Sequence, residues 1–86
     1  MVEEKIGTIE HFFANISVAA IKITDGELKV GEIIHIVGAT TEFKQKIDSM
    51  EINRKPVETV KPGDEVGIKV KDMVREHDIV YKVAEE

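Results

Sequence analysis

Lys61-Pro62-Gly63-Asp64-Glu65-Val66-Gly67-Ile68-Lys69-Val70 places a Pro-Gly-Asp turn directly before an alternating segment. Proline presets φ for the second position of a turn, and glycine supplies a positive φ at the third without a Cβ clash. Val66, Ile68 and Val70 then share one face of an extended strand. Gly67 falls on the opposite face, at a position where a side chain is unwelcome. A second block, Leu28-Lys29-Val30-Gly31-Glu32-Ile33-Ile34-His35-Ile36, repeats the pattern of a Gly-acid pair opening an apolar strand.

Working outward, four more strands are expected. The first covers about residues 6–13. The second, about 18–24, has Ala19, Ile21 and Ile23 on one face and closes on Asp25-Gly26, a strong hairpin signal. The stretch at about 43–52 is read as one strand; Ile47 differs in parity from Met50 and Ile52, which predicts a bulge near Asp48-Ser49. The last strand lies at about 78–83. Helical signals are confined to single turns at about 57–61 and 72–76, both too short to stand alone. Short strands separated by turns predict an all-β fold, a small closed antiparallel β-barrel of roughly six to seven strands with at most one or two short helical turns.

The composition agrees. The 86 residues predict one domain, with a barrel core over about 6–83 and frayed ends at Glu3-Glu4-Lys5 and Glu85-Glu86. Ile and Val dominate the apolar residues, aromatics are only 5%, and stiff β-branched side chains favour a pleated surface. Cysteine is absent, which excludes disulfides, thiolate metal sites and Cys nucleophiles. The first residues have no signal-peptide pattern, and no apolar run reaches the roughly 18 residues of a membrane helix, so the expected location is cytoplasmic, without a membrane partner. The abundance of Lys and Glu points towards a thermophilic source. A net charge of −5 disfavours nucleic acid as a sole high-affinity partner.

Four blocks in order resemble domain two of the translational GTPases, the elongation factor Tu-like β-barrel. They are Gly7-Thr8-Ile9; the run from Gly26 to Ile36; Lys46-Ile47-Asp48-Ser49-Met50-Glu51; and Val57 followed by Lys61-Pro62-Gly63-Asp64-Glu65-Val66-Gly67-Ile68. The resemblance spans roughly residues 6–83. It implies a translation-related module that binds a protein or ribonucleoprotein, such as the ribosome or tRNA. The phosphate-binding loop and the rest of the GTPase domain are missing, so GTP hydrolysis is not implied, and the chain is expected not to be an enzyme. The Arg-Gly pair common near the family's last strand is replaced by Val80-Tyr81-Lys82-Val83. A similar barrel ends peptidases of the collagenase-like U32 type, so the alternative implied is an accessory subunit of such an enzyme.

No residue set carries catalysis. His11, His35 and His77 share no metal-ligand spacing, with His35 expected to point outward, and neither Ser17 nor Ser49 sits in a nucleophile motif. No metal, cofactor or small-molecule substrate is expected; tight Ile/Val packing argues against an open barrel cavity. Lys44, Lys46, Arg54 and Lys55 form the densest basic group and are the candidates for RNA phosphates, although interleaved Glu42, Asp48 and Glu51 favour a solvated face. Phe12 and Phe13 are the candidate protein-facing pair. Adjacent strand residues point opposite ways, so one is exposed unless the following loop folds over both, which is the expected arrangement.

Overall fold

Alternation along the strands is translated directly into burial. In a computed structural model that describes residues 2–84, Ala19, Ile21 and Ile23 point inward and are fully buried, while Val18, Ala20 and Lys22 face outward. The strands are β1 (Val2–Phe13), β2 (Val18–Ile23), β3 (Leu28–Lys29), β4 (Ile33–Val37), β5 (Glu42–Lys46), β6 (Met50–Ile52), β7 (Lys55–Val57), β8 (Thr59–Val60), β9 (Glu65–Lys69) and β10 (Ile79–Ala84). No helix forms among the described residues. One antiparallel sheet runs β5-β4-β10-β1-β2-β9-β6-β7, and β3 pairs with β8 apart from it. The domain is all-β and barrel-like, as the pattern predicts.

Several local expectations are corrected. The stretch 43–52 is not a bulged strand: it divides into β5 and β6, which join different partners, β4 and β9. The parity change at Ile47 marks this switch, and Ile47 itself is fully buried. The helical turn expected at 57–61 is replaced by β7 and β8, because Val60 gains more by burial opposite Leu28 than from one isolated turn. Asp25-Gly26 does not form a two-residue hairpin. The chain turns there, with Thr24 N donating to Ile6 O at 2.8 Å, and leaves the sheet for β3. Glu3, Glu4 and Lys5, expected to fray, pair with Val83, Lys82 and Tyr81 of β10. Glu85-Glu86 lies outside the described residues.

β1 provides the curvature. It pairs with both β10 and β2, and its register slips once against each, between Lys5 and Gly7 and between Ile9 and His11. Such bulges bend a strand and increase its twist. At Gly7 the backbones come so close that a Cβ would fall on the carbonyl oxygen of Lys22. Gly63, at φ +97°, makes the Pro62-Gly63 turn as expected.

The curved sheet packs Ile6, Ile9, Ile21, Ile34, Ile36 and Ile68, with Leu28 and Met50, into one core. Each fully buried side chain of this size contributes roughly 1.5–3 kcal/mol. The aromatics stay at its margin: Phe12 and Phe43 are only partly buried against it.

A side chain bridges the gap where β5 meets the end of β9. Gln45 Nε2 donates to Lys69 O at 2.9 Å, and Lys71 N donates to Gln45 Oε1 at 2.8 Å. The amide thus imitates the paired donor and acceptor of a neighbouring strand. Replacing Gln45 with Ala hands an exposed backbone donor and acceptor back to water and is expected to cost about 0.5–1.5 kcal/mol, read as a lower urea midpoint at unchanged slope.

Candidate functional site

The outer face of β1, β2, β9 and β6 carries a groove of about 580 Å³. Its floor follows from strand register. Ala20 of β2 lies opposite Gly67 of β9, and Gly67 lies opposite Glu51 of β6. Two adjacent outward positions therefore have almost no side chain, and the sheet surface is hollow there. Gly67 is not demanded by its backbone conformation. An added Cβ would meet Val18 Cγ1 at 3.3 Å and Glu51 O at 3.8 Å.

One wall is apolar. Phe13, at the end of β1, is 44% exposed, and Ile16, in the turn that follows, is 55% exposed. The His11 ring meets Phe13 edge to face at 4.5 Å and steadies it, while His11 Nδ1 lies 3.4 Å from Glu76 Oε2. The other wall is polar, formed by Glu51, Asn53, Arg54 and Glu65. Glu65 also approaches Lys22 Nζ at 3.9 Å. An apolar wall facing a charged wall across a flat floor suits an extended chain that carries both kinds of side chain.

Arg54 reaches this wall from a strained position. Asn53 and Arg54 form the two-residue connection between β6 and β7, with φ of 52° and 64°. Two positive φ values in succession describe the hairpin turn that normally favours Asn followed by Gly. Asn fits. Arg at the second place carries a left-handed cost of roughly 1–2 kcal/mol.

The residues singled out in the sequence are dispersed. Phe13 and Arg54 meet at the groove. Phe12 turns inward, so the loop does not bury both aromatics as expected. Lys55 is exposed on β7. Lys46 lines a different hollow, together with Gln45, Lys69 and Lys71. Lys44 sits 3.7 Å from Glu3 Oε2. The four basic residues thus do not share one site. Ile16, Ala20, Glu51 and Glu65 were not singled out. Their only advance signal is that small residues at outward strand positions leave the surface open.

His35 faces outward as expected, but it is covered. Its Nδ1 lies 2.7 Å from Glu3 Oε1 and its Nε2 lies 3.3 Å from Glu42 Oε2. The hydrogen bond to His35, joined by the positive charges of His35 and Lys44, holds the Glu3 carboxyl below its ordinary range against an opposing effect of burial. The two carboxylates approach different ring nitrogens. No group of three or more metal-ligating side chains gathers among the described residues.

The family described as Elongation factor Tu domain 2 matches residues 17–79. The chain belongs to this family. It is also 42% identical over 82 residues, 94% of its length, to an uncharacterized protease of Methanocaldococcus jannaschii. It is 35% identical over 72 residues, 83% of its length, to a collagenase of Porphyromonas gingivalis. In each case it spans only 20% of the relative. The fold is that of the C-terminal domain of a Geobacillus thermoleovorans protein described as a U32 peptidase. The TM-score is 0.86 at 17% identity, covering 94% of this chain and 93% of that one. These relatives overturn the expectation that the chain is not an enzyme: its similarity is to one part of proteins named for peptidase activity.

Two outcomes follow from this geometry. Arg54→Gly relieves the turn and is expected to raise stability by up to about 1 kcal/mol, part of the gain being lost to the freer unfolded chain; thermal unfolding measures it. Glu3 has a lowered folded pKa, so its contribution is complete above the ordinary carboxylate range and disappears as pH falls through the folded value. In acid unfolding, the advantage of the wild type over Glu3→Gln should therefore be present just above the ordinary carboxylate range and vanish as pH falls through the lowered value.

Proposed function

We propose that this domain holds extended polypeptide for a peptidase of the U32 type, as the accessory barrel of such an enzyme. The observation that carries the reading is the groove: Phe13 and Ile16 face Glu51, Arg54 and Glu65 across a floor opened by Ala20 and Gly67. Relatives named protease and collagenase supply the setting. The strands that form the floor belong to the core sheet, so the groove is rigid and little ordering is needed before a chain binds. Apolar side chains of the bound segment rest against Phe13 and Ile16, and its polar groups meet the opposite wall. The domain thereby raises the local concentration of substrate for a catalytic part.

Family membership also supports a setting in translation, with a ribonucleoprotein in the groove. The polar wall argues for polypeptide instead. Glu51 and Glu65 outnumber Arg54 there, and an acidic wall repels phosphate.

Fluorescein-labelled gelatin peptides and a labelled RNA of similar length test the reading by anisotropy. Gelatin binding is expected, and both Gly67→Leu, which fills the floor, and Phe13→Ala, which removes one wall, should weaken it at least about tenfold without lowering the unfolding temperature by more than a few degrees. RNA binding without gelatin binding, or gelatin binding unaffected by both substitutions, rules the proposal out.

A further inference from the structure

We infer that the open edge of β5 is a second binding site, which takes an extended acidic polypeptide segment by strand addition. The site lies away from the groove and does not depend on the function proposed for it.

The edge is defined by hydrogen bonding. Ile47 N donates to Glu32 O at 2.9 Å, Gly31 N donates to Ile47 O at 2.9 Å, and Gly38 N donates to Thr41 O at 2.7 Å, all on the β4 side. Backbone groups alternate in direction along a strand. The N–H and C=O groups of Glu42, Lys44 and Lys46 therefore point to the other side, where β5 has no strand neighbour. Across the gap, the backbone of Lys69 and Lys71 is already engaged by the Gln45 amide. The free backbone thus belongs to β5, a strand edge of the kind to which a further chain can add, and the added chain takes the place the Gln45 amide holds against Lys69 and Lys71.

The charge around this edge selects the chain. A hollow of about 310 Å³ beside it is lined by Lys46, Lys69 and Lys71, with Asp48 as the acidic member. Lys22, Lys29 and Lys44 each have a carboxylate partner, whereas Lys46, Lys69 and Lys71 have none among the described residues. Three ammonium groups without a carboxylate partner among the described residues thus surround one hollow in a chain of net charge −5. They complement carboxylates on alternate residues of an added strand. Nucleic acid fits less well, because it needs open aromatic faces for stacking, and Lys71 Nζ already lies over the Phe43 ring at 5.9 Å. A second copy pairing through its own β5 would set lysine against lysine, which is unfavourable.

The test uses a fluorescein-labelled octapeptide of alternating Glu and Val, a Lys/Val counterpart, the Glu/Val peptide N-methylated on alternate peptide nitrogens, and poly(U). The wild type is expected to bind the acidic peptide and shift the amide resonances of Lys44 and Lys46. Combined Lys46→Gln, Lys69→Gln and Lys71→Gln substitutions should weaken binding at least about tenfold, and N-methylation, which needs no protein variant, should do the same. Gly67→Leu, which fills the groove, should leave it unchanged, so failure here is separable from failure of the groove reading. Equal binding of the Lys/Val or N-methylated peptide, stronger binding of poly(U), or self-association that shifts the Lys44 and Lys46 resonances without any peptide overturns the inference.

Discussion

The close approach of β1 to β2 at Gly7 is the constraint on which the curvature rests. β1 is the strand that pairs with both β10 and β2, and it slips register against each. With no Cβ at Gly7, the two backbones draw together over the Lys22 carbonyl, and the sheet bends instead of lying flat. The bend brings β5 round towards β9, encloses the isoleucine-rich core, and leaves between them a gap that one glutamine amide spans. Both surfaces with binding potential follow from it: the outer groove lies on the convex side of the bent strands, and the β5 edge lies at the gap.

Two kinds of local unfavourability coincide with these surfaces. Arg54 holds a positive φ where glycine would be relaxed, and its side chain lines the groove. Lys46, Lys69 and Lys71 gather without carboxylate partners among the described residues although the chain has an excess of acid. Neither arrangement helps folding. In folded proteins, strained backbone and local departures from folding rules cluster at functional sites. Glu3, His35, Glu42 and Lys44 show the contrary case, since their side chains contact one another and fasten the first residues of β1 to the sheet.

Membership of the elongation factor Tu domain 2 family describes the scaffold, while the relatives named protease and collagenase describe proteins of which this chain spans only 20%. One barrel type therefore occurs in two biochemical settings. What differs between settings is the outer surface, where side chains are free of packing constraints. Here that surface presents an acidic and apolar groove rather than a basic one.

Much of the fold was legible in the chain, because alternating Ile and Val is a strong local signal of a half-buried strand and Pro62-Gly63-Asp64 of a turn. The inward set of β2 and β9 could be listed from parity alone. The division of residues 43–52 could not, since whether a parity change means a bulge or a change of partner depends on strands remote in sequence. The sites were less legible still. Phe13 and Arg54 were visible as residue types, but the floor they border is the absence of side chains at Ala20 and Gly67, which become neighbours only through the register of β2 with β9. Lys46 was grouped with Lys44 by adjacency, yet it lies with Lys69 and Lys71 across a gap that only sheet closure creates. The sequence by itself thus determined most of the long strand segments and which of their residues face the core, because those preferences act over a few residues. Tertiary structure alone decided what lies beside what on the surface, because register and curvature are properties of whole strands meeting one another.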